Sequence, residues 1–251
     1  MKIGIVGMGK MGEALAKGLQ RSAPGEFEVS GTTRSNQGDN AKLVKTAKTL
    51  VLCVKPHQAR GALEDLAKHL TAEHLIISVC ASVTTKQVSD WSGGKAAVVR
   101  AMPNTPCLIG EGMTVFCAGA GADQLALTEK IFGTVGRTVV LEESLMDGVT
   151  GLSGCGPAYI YLIIEALSEA GVKVGLSRKT ATLLAAQTMA GSAKMVLERG
   201  EHPAALKDEV TTPAGCTIDG LMALEEGKLR VTLIKAVLAA TKRSKRLSGE
   251  D

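Results

Sequence analysis

Asp208-Glu209-Val210-Thr211-Thr212-Pro213-Ala214-Gly215-Cys216-Thr217 has the residue types and order to hold a small anion. Pro213 fixes one backbone angle, and Gly215 admits close approach to the main chain. Thr217 sets a hydroxyl beside the N–H groups that open a helix. Ile218, Leu221, Met222 and Leu224 carry the apolar stripe of that helix onward. Such a helix start binds a carboxylate, or it is an ordinary capped turn with no ligand, since Thr-Pro-x-Gly turns are common. A second run that can do chemistry lies at the other end of the chain. Gly7-Met8-Gly9-Lys10-Met11-Gly12 follows the apolar Ile3-Gly4-Ile5-Val6 and precedes Ala14, Leu15, Ala16 and Leu19. Strand, GxGxxG and helix in that order are what dinucleotide binding needs. Gly7 makes the tight turn, Gly9 lets a pyrophosphate approach, and Gly12 lets the helix pack on the strand.

The elements that must position these two runs follow from the hydrophobic pattern. Strands are expected at Ile3–Val6, Glu28–Thr33, Leu50–Val54, Leu75–Cys80, Ala97–Met102, Thr114–Ala118 and Thr138–Leu141. Helices are expected at Ala41–Lys48, His57–Leu70, Val83–Trp91 and Asp123–Phe132 between them. This alternation implies an α/β domain with an open, mostly parallel sheet covered on both faces, over residues 1–146. Beyond Met146 only helical spacing remains, in Tyr159–Ala170, Arg178–Glu198, Ile218–Glu226 and Val231–Arg246, with Gly171, Gly175, Gly200 and Gly227 as helix ends. Residues 147–251 therefore read as an all-helical domain, and apolar faces of this kind often pack against a second copy, though they can also pack within one chain. The segment Ser35–Thr49 holds only a polar turn and one short helix, where a full mononucleotide unit places helix, strand and helix. Either the sheet is shortened by one strand and one helix, or the second strand is misassigned.

Composition narrows the classes. With 251 residues, 45% of them hydrophobic, the chain builds its core without staples. Aromatics are 2%, too few for the stacking platforms of single-stranded nucleic acid, and the net charge of +4 is mild, so no nucleic-acid partner is expected. The first strand begins at once, so no signal peptide is expected. The longest apolar run, Ala158–Leu167, contains Glu165 and is too short for a bilayer, so no membrane partner is expected. Six scattered cysteines without a CxxC pair point to reduced thiols in the cytoplasm, with no metal site.

Taken together these segments resemble the pyrroline-5-carboxylate reductase family, over nearly the whole chain. The residues that carry the resemblance are the GMGKMG turn, Val54-Lys55-Pro56, Met102-Pro103-Asn104-Thr105-Pro106, Glu111-Gly112, the run from Thr150 to Tyr159, His202-Pro203 through Asp208, and the signature-like stretch Asp208–Glu225. The resemblance implies a Rossmann-like domain, a helical dimerisation domain, and reduction of 1-pyrroline-5-carboxylate to L-proline by NADPH, with NADH as an alternative. It implies a homodimer or higher homo-oligomer. By the same resemblance, Gly7, Met8, Gly9, Lys10, Met11 and Gly12 hold the pyrophosphate, and Asn40 meets a ribose. Thr33, Arg34 and Ser35 end the second strand where an NAD-preferring site carries an acid. Arg34 meets a 2′-phosphate there, or is a solvated loop residue. Val54, Lys55, Pro56 and Ala81 line the nicotinamide half, with Lys55 alternatively a strand-end cap. Glu143, Ala214, Gly215, Cys216 and Thr217 face the substrate, and Thr217 is the catalytic hydrogen-bonding group. His57 and His202 read as solvated or capping residues.

The chain departs from the family pattern in four places. The segment after Ser35 is short. Cys155 stands where Ser is usual, Ala214 and Cys216 vary a Gly-rich signature, and Cys80-Ala81-Ser82 stands where Ala-Ala-Gly is usual. Two rival functions share parts of this pattern. A β-hydroxyacid dehydrogenase would want a basic lysine on a helix of the second domain, for which Lys173, Lys179 and Lys194 are available. An NADPH-binding regulator would need no turnover at all.

Overall fold

The computed structural model describes residues 1–33, 35, 39–118 and 121–249. Its contacts gather into two compact units, Met1–Cys155 together with Val237–Asp251, and Gly156–Ala236. The first unit holds one seven-stranded sheet: β1 (Lys2–Val6), β2 (Glu28–Thr32), β3 (Thr49–Leu52), β4 (Leu75–Ser78), β5 (Ala97–Met102), β6 (Gly112–Ala118) and β7 (Gly136–Val140). The order is β2-β1-β3-β4-β5-β6-β7. Every neighbouring pair is parallel except β5 with β6.

Each strand forms where the apolar run or alternation placed one, within two residues at either end. The exposed second strand is real, and it is the edge of the sheet. On its other side β1 pairs directly with β3, from Ile3↔Thr49 to Val6↔Leu52. Among the described residues no strand pairs beyond β2, so the sheet takes the shortened form. The short stretch after Ser35 has room for a single helix, α2 (Asn40–Thr46).

Side chains alternate across a strand, so β1 feeds two cores at once. Ile3 and Ile5 pack with Leu15 and Leu19 of α1 (Lys10–Ser22), and Ile131 and Phe132 of α5 (Ala122–Gly133) close the same layer. Val6 faces the opposite layer. There Leu43 and Val44 of α2, Leu63 and Leu66 of α3 (Pro56–Ala67) and Val88 of α4 (Thr85–Trp91) cover the sheet. Burial on both faces is why β3 and β4 read as unbroken apolar runs.

After β7 the chain makes a short 3₁₀ turn at Glu143–Leu145, then α6 (Met146–Val149) and a π-helical turn, Thr150–Gly154. No helix was expected in that glycine-rich stretch. It forms because it packs on the last helix: a Cβ at Gly151 would sit 2.3 Å from Thr241 Oγ1.

The second unit is helical: α7 (Gly156–Lys173), α8 (Arg178–Arg199), α9 (Pro203–Glu209), α10 (Cys216–Glu226) and the first part of α11 (Leu229–Ser248). Helix α9 was not expected, because the segment is short and opens on Pro203. His202 caps it, accepting from the Ala204 N–H at 3.2 Å, and proline suits the first helical position. Helices α7 and α8 meet where Gly171 lets Ala181 approach, and a Cβ there would stand 2.6 Å from that of Ala181. Little else in this unit is covered. Among its described residues only Ser168, Ala181 and Ala185 are buried, while Leu162 and Leu183 are 65% and 67% exposed. Among the described residues, no helix is long and apolar enough to cross a membrane.

Candidate functional site

The glycine turn at the end of β1 is built by backbone contacts. The N–H groups of Gly7 and Met8 both donate to the Thr32 carbonyl, at 3.0 and 2.9 Å, tying the turn to the end of β2. Gly7 has φ +100, and a Cβ there would lie 2.9 Å from the Cys53 carbonyl carbon. At Gly12 it would lie 2.5 Å from the Gly7 oxygen, whereas at Gly9 it would meet nothing within 4 Å. The outer glycines are thus required by packing, and the middle one opens to space. Gly9 is the N-cap of α1 and has no side chain to cap it, so the first N–H groups of the helix are left for an anion.

A cavity of about 260 Å³ opens beside this turn. Gly7, Met8 and Gly9 line it together with Thr33, Asn40, Val54 and Lys55, all of them expected from the sequence. Lys10, Met11, Gly12, Ser35, Pro56 and Ala81 do not form its wall. Val6, Thr32, Cys53, Gln58 and Ala62 do, and were not foreseen. The first three could have been found from their places at strand ends, since ligands in open α/β sheets sit at the carboxyl edge.

Asn40 is 2% exposed and held at both ends: Thr32 Oγ1 donates to its Oδ1 at 2.8 Å, and its Nδ2 donates to Asp65 at 3.3 Å. One N–H and one lone pair of that amide remain for a ribose. The Thr33 and Ser35 hydroxyls stand 2.8 Å apart, and Arg34 lies outside the described residues. Lys55 is the N-cap of α3, and its N–H donates to Gln58 Oε1 at 3.4 Å. Burial, with Cys80 nearby, holds the Cys53 thiol well above the usual thiol range, and burial pushes Cys80 up to about 11. Both stay protonated near neutral pH, so these two thiols supply no nucleophile.

Glu143 follows β7, and its carboxylate is well partnered. It accepts from the Thr85 N–H at 2.8 Å, from the Thr85 hydroxyl, and from Arg100 Nη1 at 3.3 Å. Arg100 is 3% exposed and Glu143 31%. A buried charge needs such a partner. Arg100 was missed by the sequence reading, although an arginine inside the apolar run Ala97–Met102 was signal enough.

In the second unit, Ala214 turns the chain with φ +57 and Gly215 is the N-cap of α10. The Gly215 N–H donates to the Thr212 carbonyl at 3.0 Å, and a Cβ at Gly215 would lie 2.4 Å from Thr212 Oγ1. No side chain caps this helix either, so its first N–H groups repeat the arrangement at α1, with the Thr217 hydroxyl in the first turn.

A glycine turn at the carboxyl edge of a parallel sheet, an uncapped helix start and a separate helical unit define a two-part dinucleotide-binding protein. Residues 143–247 match the family model described as pyrroline-5-carboxylate reductase dimerisation. Residues 32–82 match a model of NADP oxidoreductases, coenzyme F420-dependent. The chain is 39% identical over 264 aligned residues to pyrroline-5-carboxylate reductase of Arabidopsis thaliana, covering 98% of this chain and 95% of that one. It superposes on the Coxiella burnetii pyrroline-5-carboxylate reductase with TM-score 0.91 and 37% identity over 98% of both chains. The Plasmodium falciparum pyrroline carboxylate reductase crystallised with NADP matches with TM-score 0.89 and 34% identity, over 99% of this chain and 98% of that one. This chain belongs to the pyrroline-5-carboxylate reductase family.

Proposed function

We propose that the protein reduces 1-pyrroline-5-carboxylate to L-proline with NADPH, with NADH as a poorer donor, closing proline biosynthesis. The observation that carries this reading is likeness to the Arabidopsis enzyme at 39% identity over 98% of the chain. Residues 1–146 take the cofactor and residues 147–251 the substrate and a second copy. The cavity beside Gly9 fits a dinucleotide: its floor leaves space above Gly9, uncapped N–H groups face a pyrophosphate, and Asn40 keeps hydrogen-bonding capacity for a ribose. Met8, Lys10, Met11 and Gly12 complete the pyrophosphate grip, Thr33, Arg34 and Ser35 the 2′-phosphate side, and Val54, Lys55, Pro56 and Ala81 the nicotinamide side. Bound there, NADPH supplies a hydride.

The chain's own residues do the positioning. The N–H groups that open α10 at Cys216 and Thr217, shaped by Ala214 and Gly215, hold the carboxylate and choose the ring face. The exposed edge of Glu143 borders the substrate. Thr217 hydrogen-bonds the ring nitrogen. A protonated cyclic imine is already an electrophile, so no strong acid is required of the site. Turnover of the imine with NADPH tests the whole reading, and an inert protein overturns it. Thr217→Val keeps shape and removes the hydroxyl. It is expected to lower kcat/KM about ten-fold, the equivalent of one net hydrogen bond of ~1.5 kcal/mol, with NADPH binding unchanged. Wild-type kcat/KM in that variant would reduce Thr217 to a helix residue.

The exposed Leu162, Leu183 and Met222 favour burial against a second copy, giving a two-fold dimer at least. Sedimentation at micromolar concentration is expected to show no active monomer. Free thiols at all six cysteines favour a reducing compartment, the cytoplasm.

A further inference from the structure

The turn between β4 and α4 holds Ser82 in the left-handed region, with φ +58. A side chain there crowds the backbone, and a non-glycine residue keeps such a conformation only when its surroundings hold it. Ser82 is buried, and its Oγ lies 3.4 Å from Ser244 Oγ near the end of α11. Ser244 in turn donates to the buried Asp147 carboxylate on α6. A hydroxyl has a single proton, and that of Ser244 is committed to Asp147, so Ser82 is the donor of the serine pair. Three residues beyond Ser82, Thr85 gives both its N–H and its hydroxyl to Glu143. Glu143 and Asp147 are four residues apart on one segment. Two carboxylates a helical turn apart thus grip both ends of the Ser82–Thr85 segment, one directly and one through Ser244.

We propose that Ser244 is a positioning residue: with Asp147 it holds Ser82 in its left-handed conformation and so sets Ala81. Its catalytic consequence rests on the function proposed above, which puts Ala81 at the nicotinamide half. The effect on the turn rests on geometry alone. A glycine at position 82 would adopt this conformation unaided. This chain carries serine at that position, and a hydroxyl from α11 holds it there.

Ser244→Ala removes the acceptor without harming helix propensity. Amide exchange across Ala81–Val83 is expected to rise. The turnover number is expected to fall about ten-fold while NADPH affinity stays the same, and the isotope effect with deuterated NADPH to grow, because misplacement slows transfer more than binding. In a Ser82→Gly background the same change at 244, which there costs only the Asp147 contact, is expected to alter exchange and turnover far less. Wild-type exchange and turnover in Ser244→Ala would overturn the proposal. An equal loss in the Ser82→Gly background would also overturn it, marking Ser244 as a packing residue for Asp147. A protein inert toward the imine would sink the proposed function, and amide exchange alone would then decide whether Ser244 holds the turn.

Discussion

Gly9→Ala is expected to weaken NADPH binding roughly 100-fold with little change in melting temperature. Gly9 has φ −89, which alanine adopts freely, and its added methyl meets no protein atom within 4 Å. The fold has no reason to object. The methyl instead fills the space through which a pyrophosphate reaches the start of α1. Losing two charge-assisted hydrogen bonds at ~1.5 kcal/mol each amounts to ~3 kcal/mol, close to two decades in affinity. Gly12→Ala makes the contrast, because its methyl would press on the Gly7 oxygen at 2.5 Å and must disturb the turn itself. Calorimetric titration of both variants, with melting curves, separates the two effects. A Gly9→Ala protein with wild-type affinity would remove the pyrophosphate from this helix start.

Arg34→Ala is expected to erase most of the preference for NADPH over NADH. The sequence Thr33-Arg34-Ser35 comes after β2 and offers two hydroxyls and a guanidinium with no acid, and the Thr33 and Ser35 hydroxyls lie 2.8 Å apart. A charge-assisted contact to a 2′-phosphate contributes on the order of 1.5–3 kcal/mol, about 10- to 100-fold in the ratio of kcat/KM values. Only NADPH should suffer, since NADH lacks the phosphate. An unchanged ratio would show that Arg34 is not the reader and leave discrimination to the paired hydroxyls.

What was legible in the sequence is what local pattern controls. Apolar runs and alternation marked the strands, and Gly7 and Gly12 announced the turn because its close packing leaves no room for a side chain. The two glycine-capped helix starts, at Lys10 and Cys216, were also readable, since a cap is a matter of neighbouring residues. The brevity of Ser35–Thr49 left two readings, a shortened sheet or a misassigned second strand, and the pairing of β2 with β1 at the sheet edge chose the first. Tertiary structure alone decided the rest. Helix forms at Met146–Gly154 because α11 packs on Gly151. Glu143 meets Thr85 and Arg100, and Ser244 meets Ser82 and Asp147, across separations of up to 162 residues that no period or spacing encodes. Gln58 and Ala62, both on α3, join the cavity wall beside Val6 and Cys53 at the ends of β1 and β3. Backbone preference acts over a few residues and leaves its mark on the sequence. Partners for buried charge and strained backbone are chosen by topology, once the sheet has brought distant segments to the same edge.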